Sequence, residues 1–264
     1  MDRVEVNGIG TAFEVLGDGP PLLLLTGLGG VGRAWADHRE RFAERFTTIV
    51  PDHRGTGASD APADGYTIGA HAADMAAVVA AVGRGPAHVV GSSTGGAIGQ
   101  TMAIDHPEHV ASLVAVSSWA GPDPYFEAQF VARRRVLTDS GPGAYAEASS
   151  LFLFDPAFAS AHPDRVAAWV DKATSGPANP EVMAKRIDMI RAHDERARLD
   201  RIGVPTLVLV GEADICTPPF LSEELAAAIP GALLEVLPGG HFVYLEHPDA
   251  FFDAVVGFLG GPVD

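Results

Sequence analysis

The stretch VVGSSTGGAIGQ, residues 89–100, places three hydroxyl side chains between glycines directly after an apolar run. Residues 91–95 fit the pattern G-x-S-x-G, with Ser93 at its centre. This pattern marks a sharp turn from a strand into a helix that presents a serine to solvent or substrate. Such a short pattern also arises by chance in a chain with 30 glycines. The rest of the chain must therefore decide whether Ser93 is a nucleophile.

Apolar runs alternate with helix-like segments on both sides of this stretch. The run PLLLLTG at residues 21–27 shows no polar alternation, which indicates a central parallel strand buried on both faces. Comparable runs are FTTIVPD, AHVVGSS, VASLVAVSS, PTLVLVGEAD and LLEVLPGG. The alternation predicts an α/β fold with a mostly parallel, doubly wound sheet. At the N-terminal end, alternating residues around Asn7-Gly8 predict a hairpin.

One region breaks this alternation. Residues 122–198 contain several helical patterns with no strand between them, for example YFEAQFVARRRVL and AYAEASSLFLF. We expect a helical cap over 122–198, inserted before the last two strands. Residues 1–121 and 199–264 then form the N-terminal and C-terminal parts of one core.

Composition excludes several classes of partner. The formal net charge of −16 repels phosphate backbones and anionic bilayers. We therefore expect that the protein binds neither nucleic acid nor a membrane. Cys216 is the only cysteine, so no internal disulfide forms, and the N-terminal residues lack a signal-peptide pattern. We therefore expect a cytoplasmic protein. No H-E-x-x-H or paired Cys/His spacing predicts a metal, and no cofactor is expected. The sequence makes no prediction of oligomeric state.

A rival motif precedes the serine stretch. Residues 27–32 match G-x-G-x-x-G after a predicted strand, and Asp52 lies about twenty residues further on, as in dinucleotide-binding folds. Two features weaken that interpretation. A hairpin precedes the strand, and Asp52 continues into HRGTGASD, a glycine-rich turn that a ribose-binding acid does not require.

A serine nucleophile needs a base, and the base needs an acidic partner that holds its tautomer. Asp214 follows the predicted strand TLVLVG, and His241 follows LLEVLPGG. Both fall at the sheet edge that carries Ser93. The order Ser93, Asp214, His241 is that of a hydrolase triad. A competing position for the acid lies after VASLVAV, where Ser117 and Ser118 stand and Asp123 follows.

With these residues in place, the chain resembles the α/β-hydrolase superfamily over nearly its whole length. The resemblance rests on the segments TGLGG, DHRGTGASD, GSSTGG, GEADICTPP and GGHF. It is closer to 3-oxoadipate enol-lactonases and aminoacrylate hydrolases in TGLGGVGRAW, DHRGTG and SLFLF. The resemblance implies that the main-chain N–H groups of Leu28 and Thr94 form an oxyanion hole. It also implies a pocket near His53 and Trp119, although core packing explains Trp119 nearly as well.

The expected function is that of a serine hydrolase acting on an ester, lactone or related acyl bond of a small molecule. Relatives with this fold also hydrolyse C–C bonds, act as perhydrolases or cofactor-free haloperoxidases, or bind ligands without turnover, and these alternatives stay open. The closer resemblance implies a substrate that is a small acid, which would need a local cation. Candidate cap cations are Arg133, Arg134, Arg135, Lys185, Arg186 and Arg191.

Overall fold

The computed structural model describes residues 1–6, 8–175 and 179–260. Its strands form one eight-stranded sheet in the order β1-β2-β4-β3-β5-β6-β7-β8. The strands are β1 (Asp2–Val6), β2 (Ile9–Leu16), β3 (Pro21–Leu25), β4 (Thr47–Pro51), β5 (Ala87–Ser92), β6 (Val110–Val116), β7 (Thr206–Gly211) and β8 (Leu233–Leu237). Strand β2 pairs antiparallel with β1 and β4, and every pair from β4 to β8 is parallel. The predicted parallel sheet is confirmed, and β1 and β2 form the hairpin, although Asn7 lies outside the described residues.

The helices cover both faces of the sheet. They are α1 (Ala36–Ala43), α2 (Ile68–Val82), α3 (Thr94–Asp105), α4 (Pro124–Leu153), α5 (Pro156–Ala161), α6 (Pro163–Thr174), α7 (Pro180–Arg191), α8 (Pro219–Ala228), α9 (Val243–Glu246) and α10 (Pro248–Leu259). Met75 of α2 and Ile98 of α3 belong to one apolar cluster, whereas Phe42 of α1 and Phe251 of α10 belong to the other. The sheet therefore separates two cores, as a doubly wound fold requires.

Strand β3 shows why an uninterrupted apolar run becomes a central strand. Successive side chains of a strand point to opposite faces. Leu23 and Leu25 accordingly join one cluster, and Leu22 and Leu24 join the other. All four side chains are fully buried, and burying each leucine contributes about 1.5–3 kcal/mol relative to exposure. This burial fixes β3 beside β5, whose end carries Ser93.

Helices α4 to α7 lie between β6 and β7 and form the helical block that the sequence predicts. The two helices predicted in its first part meet within α4 at a break, where Gly141 has a non-helical backbone with a φ of 84° and Pro142 follows. Phe126 and Ile187 of this block join the apolar cluster of α2 and α3. The division into core and cap at residues 122 and 198 stays a prediction. No helix among the described residues is both long enough and apolar enough to cross a membrane.

Candidate active site

Ser93 lies in a strained turn between β5 and α3. Its φ of 54° and ψ of −114° are unusual for a residue with a side chain. A Cβ on Gly95 would lie 2.2 Å from the Leu25 carbonyl oxygen, and one on Gly91 would lie 2.3 Å from the carbonyl group of Gly95. Only glycine fits at these two positions, as the sequence predicts. Strand and helix therefore approach each other closely on either side of Ser93.

Asp214 and His241 form a buried pair at the ends of β7 and β8. His241 Nδ1 lies 2.9 Å from Asp214 Oδ2, and both residues are 2% exposed. The main-chain N–H groups of Cys216 and Thr217 donate to Asp214 Oδ1, each at 2.8 Å. These donors fix the plane of the carboxylate, so its second oxygen faces His241. With Nδ1–H donating to Asp214, the imidazole presents Nε2 as the nitrogen that can accept a proton.

The loops that carry Ser93, Asp214 and His241 all lie at one edge of the sheet. The parallel strands β5, β7 and β8 all end there, so Ser93, Asp214 and His241 follow strand ends on the same side. A Cβ on Gly211, at the end of β7, would lie 2.2 Å from the Gly240 carbonyl oxygen. Glycine at position 211 thus lets the acid loop contact the loop that carries the histidine.

The loop after β3 lies directly against Ser93. A Cβ built on Gly27 would lie 3.4 Å from Ser93 Cβ and 4.0 Å from Ser93 Oγ. Leu28 follows in this loop, and its N–H donates to no acceptor in the described part of the chain. Thr94 is the first residue of α3, where a main-chain N–H has no acceptor within the helix. Thr94 thus adjoins Ser93 in the chain, and Leu28 adjoins Gly27, which lies against Ser93; their role as oxyanion donors stays a prediction.

The competing position for the acid is occupied by other interactions. Asp123 Oδ1 accepts from the Phe126 N–H at 2.7 Å and caps the start of α4. Ser118 Oγ donates to the Ser93 carbonyl oxygen at 3.1 Å. After β6, Asp123 thus caps a helix and Ser118 supports the turn that carries Ser93. Because neither side chain contacts His241, these contacts favour Asp214 as the acid.

Thr217 contacts Asp214, and its role is not among the predictions made from the sequence. Its hydroxyl lies 3.0 Å from Asp214 Oδ2 and donates to the Ser117 carbonyl oxygen at 2.9 Å. These contacts tie the acid loop to the end of β6. The signal that could have found Thr217 is a hydroxyl residue three positions after an aspartate, where side chain and main chain commonly bond to each other.

The two residues predicted to line a pocket lie deep in the molecule. Trp119 is fully buried and packs at 4.8 Å, ring centre to ring centre, from Phe126 and at 6.0 Å from His193. These contacts favour the packing alternative for Trp119. His53 is also fully buried, and its Nδ1 accepts from Arg186 at 3.2 Å. The pocket roles of both residues stay predictions.

Asp52, the acid of the rival dinucleotide motif, is bound by main-chain groups. Its Oδ1 accepts from the Gly32 N–H at 2.8 Å, and its Oδ2 accepts from the Ala58 N–H at 2.9 Å. Both carboxylate oxygens thus hold the 27–32 loop against the 52–60 turn. A ribose hydroxyl would have to displace one of these donors, which argues against the dinucleotide interpretation.

The helical block between β6 and β7 contacts the three loops that carry Leu28, Asp214 and His241. Three hydrogen bonds make these contacts: Arg186 Nε to the Leu28 carbonyl at 2.9 Å, the Tyr125 hydroxyl to the Ile215 carbonyl at 2.6 Å, and the Phe242 N–H to the Leu153 carbonyl at 2.9 Å. Ser93 is 9% exposed. The helical block thus packs directly against three of the loops at this edge of the sheet.

The six cap cations have different surroundings. Arg134 Nη2 donates to Asp188 at 3.0 Å, and Arg191 Nε donates to Glu127 at 3.0 Å. Arg133 is buried, and the groups around its guanidinium are the Tyr145 hydroxyl, the Ser149 hydroxyl and the Cys216 thiol. Lys185 donates to the Ala63 carbonyl. Within the described residues, neither Arg133 nor Arg186 has a carboxylate partner, and no group of three or more potential ligands could hold a metal ion.

Comparisons with known proteins agree with the fold. A family model for the alpha/beta hydrolase fold matches residues 20–248. The "Putative carbamate hydrolase RutD" of Caulobacter sp. (strain K31) is 36% identical over 246 residues, which are 92% of each chain. The crystal structure of the enol-lactonase from Burkholderia xenovorans LB400 superposes with a TM-score of 0.89 at 28% identity, covering 98% of this chain and all of that one. A thermophilic esterase from Thermogutta terrifontis gives a TM-score of 0.87 at 29% identity over 98% of both chains.

Proposed function

The chain belongs to the α/β-hydrolase family, and from that membership and the site geometry we propose that it is a serine hydrolase that cleaves an ester, lactone or related acyl bond of a small molecule. The observation that carries the proposal is the buried Asp214–His241 pair, with its 2.9 Å contact, at the sheet edge that presents Ser93. The names of the relatives agree with it, since carbamates, enol-lactones and esters all have a carbonyl carbon bonded to an oxygen or nitrogen leaving group.

Acylation begins with the Ser93 hydroxyl. His241 Nε2 takes the hydroxyl proton while Oγ bonds to the substrate carbonyl carbon, and the carbonyl oxygen becomes an oxyanion. Asp214 stabilises the imidazolium that forms. The N–H groups of Leu28 and Thr94 donate to the oxyanion, and each preorganised donor is worth about 10²–10³ in rate. The tetrahedral intermediate collapses when His241 returns the proton to the leaving group.

Deacylation repeats these steps with water. His241 takes a proton from a water molecule, whose oxygen adds to the acyl carbon, and the same two N–H groups hold the second oxyanion. Collapse breaks the bond between Ser93 Oγ and the acyl carbon and gives the proton back to Oγ. The free acid leaves and the nucleophile is restored. No cofactor takes part in this sequence.

A fluorophosphonate probe tests the class of activity directly. Because an activated serine attacks phosphorus and expels fluoride, the wild-type chain should gain one covalent adduct, which peptide mass mapping should place on Ser93. A parallel screen of short p-nitrophenyl esters, lactones and N-substituted carbamates should show turnover for at least one class. An unlabelled protein with no turnover on any class would contradict the proposal and favour a ligand-binding role on the hydrolase fold.

A further inference from the structure

Arg186 of α7 lies fully buried between the cap and the core. Its Nε donates to the Leu28 carbonyl at 2.9 Å, and its Nη1 donates to the Arg54 carbonyl at 3.3 Å. Nη1 also donates to His71 Nε2 at 2.9 Å, and Nη2 donates to His53 Nδ1 at 3.2 Å. One guanidinium thus joins the cap to four points of the core, and one of them is the carbonyl of a residue proposed to donate to the oxyanion.

All of these partners are uncharged. Asp74, a buried carboxylate, is bound by Arg54 through two hydrogen bonds of 2.6 Å each, and no carboxylate among the described residues contacts Arg186. Burial lowers the pKa of Arg186 to about 10, so the group is still a cation near neutrality. Burial and the neighbouring guanidinium lower the pKa of His53 and His71, so both imidazoles are neutral acceptors. A buried cation without a counterion is costly to fold, and apolar side chains could fill the same space.

Among the described residues, the hydrogen bonds that the core makes with the loop that Arg186 contacts lie at its two ends, and the Leu28 side chain packs against the apolar cluster of α2 and α3. The Gly30 N–H donates to the Gly27 carbonyl at 3.0 Å, which closes a four-residue turn. The Gly30 carbonyl accepts from the His53 N–H and from the Thr56 hydroxyl, both at 2.8 Å. Neither contact reaches the peptide group between Leu28 and Gly29 in the middle of the turn.

The peptide that Arg186 contacts is next to the peptide that carries the Leu28 N–H. The Leu28 carbonyl belongs to the peptide between Leu28 and Gly29, whereas the Leu28 N–H belongs to the peptide between Gly27 and Leu28. Gly29 is exposed, and nothing lies within 4 Å of a Cβ built on it. Among the described residues, the bond from Arg186 Nε is therefore the hydrogen bond that restrains the main chain of Leu28 on its carbonyl side.

We propose that Arg186 is a positioning residue that holds the oxyanion loop in its active arrangement from the cap. This inference rests on the proposed function, because a positioned Leu28 N–H matters only if an oxyanion forms beside it. Without Arg186 the main chain of Leu28 loses its restraint on the carbonyl side and is freer to move, so fewer molecules present the Leu28 N–H as a preorganised donor beside Ser93. The oxyanion hole is then complete only while α7 lies against the core, which couples closure of the cap to catalysis.

Arg186→Met is the informative substitution, since methionine fills much of the space and leaves no buried charge. We expect kcat for p-nitrophenyl acetate to fall about 10–100-fold, less than the loss on removing a donor outright, with KM changed by less than about threefold. Affinity for an alkyl trifluoromethyl ketone, which Ser93 converts to a hemiketal oxyanion, should fall in parallel with kcat/KM. Arg186→Lys, with one donor group in place of the fork, should give intermediate values.

Arg134→Met is the matched control, because Arg134 also bonds to α7, through Asp188, but does not contact the loop. It should leave kcat and ketone affinity unchanged. Each kcat is calculated from the concentration of active sites, which is measured by titration with the fluorophosphonate. Misfolded protein therefore does not lower the kcat of a variant. Wild-type kcat and ketone affinity in Arg186→Met, with a lower unfolding temperature alone, would overturn the inference. If that variant does not fold, the same result in Arg186→Lys overturns it. A wild-type chain that neither reacts with the probe nor hydrolyses the ester would instead refute the proposed function, and this inference with it.

Discussion

At the scale of single residues, Ser93 combines an ordinary side chain with an unusual backbone. A non-glycine residue at a φ of 54° costs about 1–3 kcal/mol, and such a cost persists only where the surroundings enforce it. Here the glycines on either side of the turn and the bond from the Ser93 N–H to the Val116 carbonyl at 2.7 Å enforce it. Ser92, one residue earlier, ends strand β5. The two adjacent serines therefore differ in backbone conformation more than in chemistry.

Ser93→Ala should abolish probe labelling and lower kcat by on the order of 10⁶, because no other group can form the acyl-enzyme. Ser92→Ala is the matched control and should keep most of the activity. The measurement is kcat on the best substrate of the screen, with labelling followed by mass spectrometry. Equal losses in the two variants would show that the assignment of the nucleophile is wrong.

Asp214→Asn should lower kcat by about 10⁴-fold, since an amide can neither hold the base-competent tautomer of His241 nor stabilise its imidazolium. Asp123→Asn serves as the comparison. Asparagine caps a helix about as well as aspartate does, so this change should leave kcat and stability nearly unaltered. Steady-state kinetics of both variants decide between them. A severe loss in Asp123→Asn alone would move the acid to the end of β6.

Arg133 is the cap cation best placed to test whether the substrate is an anion, because it is buried with uncharged neighbours only among the described residues. A charge-assisted hydrogen bond to a substrate carboxylate contributes about 1.5–3 kcal/mol. Arg133→Met should therefore raise KM about 10–100-fold for an ester with a second carboxylate and leave its neutral analogue unaffected. Arg134→Met is the control. A preference for the neutral ester that neither substitution changes would favour an apolar pocket.

At the scale of helices, strands and their connections, the sequence predicted what local patterns encode. Ser93, Asp214 and His241 each follow an apolar run that predicts a strand. Because parallel strands end at one edge of the sheet, the sequence predicts that these three residues lie at the same edge. The break in α4 at Gly141 falls between two segments that the sequence predicts as separate helices. The contact between Arg186 and Leu28 joins residues 158 positions apart, and such a contact leaves no trace in either local sequence. Trp119 could not be assigned from sequence because pocket walls and cores use the same side chains.

The packing of α3 against β3 depends on Gly95. Gly95→Ala places a Cβ 2.2 Å from the Leu25 carbonyl oxygen, so helix and strand must separate. We expect a loss of about 1–3 kcal/mol or more in the free energy of unfolding, measured by urea denaturation. Gly143→Ala in α4 is the control, since nothing lies within 4 Å of its Cβ and its φ is not positive. It should be neutral or stabilising by up to about 1 kcal/mol. Similar values for the two variants would show that the turn tolerates a wider separation.

At the scale of the whole molecule, buried histidines make stability depend on pH. Burial lowers the pKa of His53 and His71 well below the usual value, and it lowers the pKa of His193 to about 4. In the unfolded chain these groups bind protons near pH 6.5, and in the folded chain they bind them only at lower pH. Their contribution to stability is thus fully present above about pH 7 and is lost as the pH falls from about 6.5 towards the folded pKa values.

Urea unfolding at pH 5, 6 and 7 measures this effect. Each buried histidine should make the free energy of unfolding fall by about 1.4 kcal/mol per pH unit while it is within its window. His193→Gln isolates one of them, because other titrating groups cancel in the comparison with the wild type. The variant's slope between pH 6 and 5 should be smaller by about that amount. Identical slopes would show that His193 takes up its proton in the folded chain as easily as in the unfolded one.

The glycines of the serine turn and of the Gly211–Gly240 contact have a consequence for how this protein changes over evolutionary time. They satisfy a steric demand of the backbone that persists whether or not Ser93 reacts with anything. A descendant that lost its hydroxyl, its imidazole or its carboxylate would still need these glycines in order to fold. In a comparison of diverging descendants, the glycines would therefore record ancestry, and the three reactive side chains would record whether selection for turnover had continued.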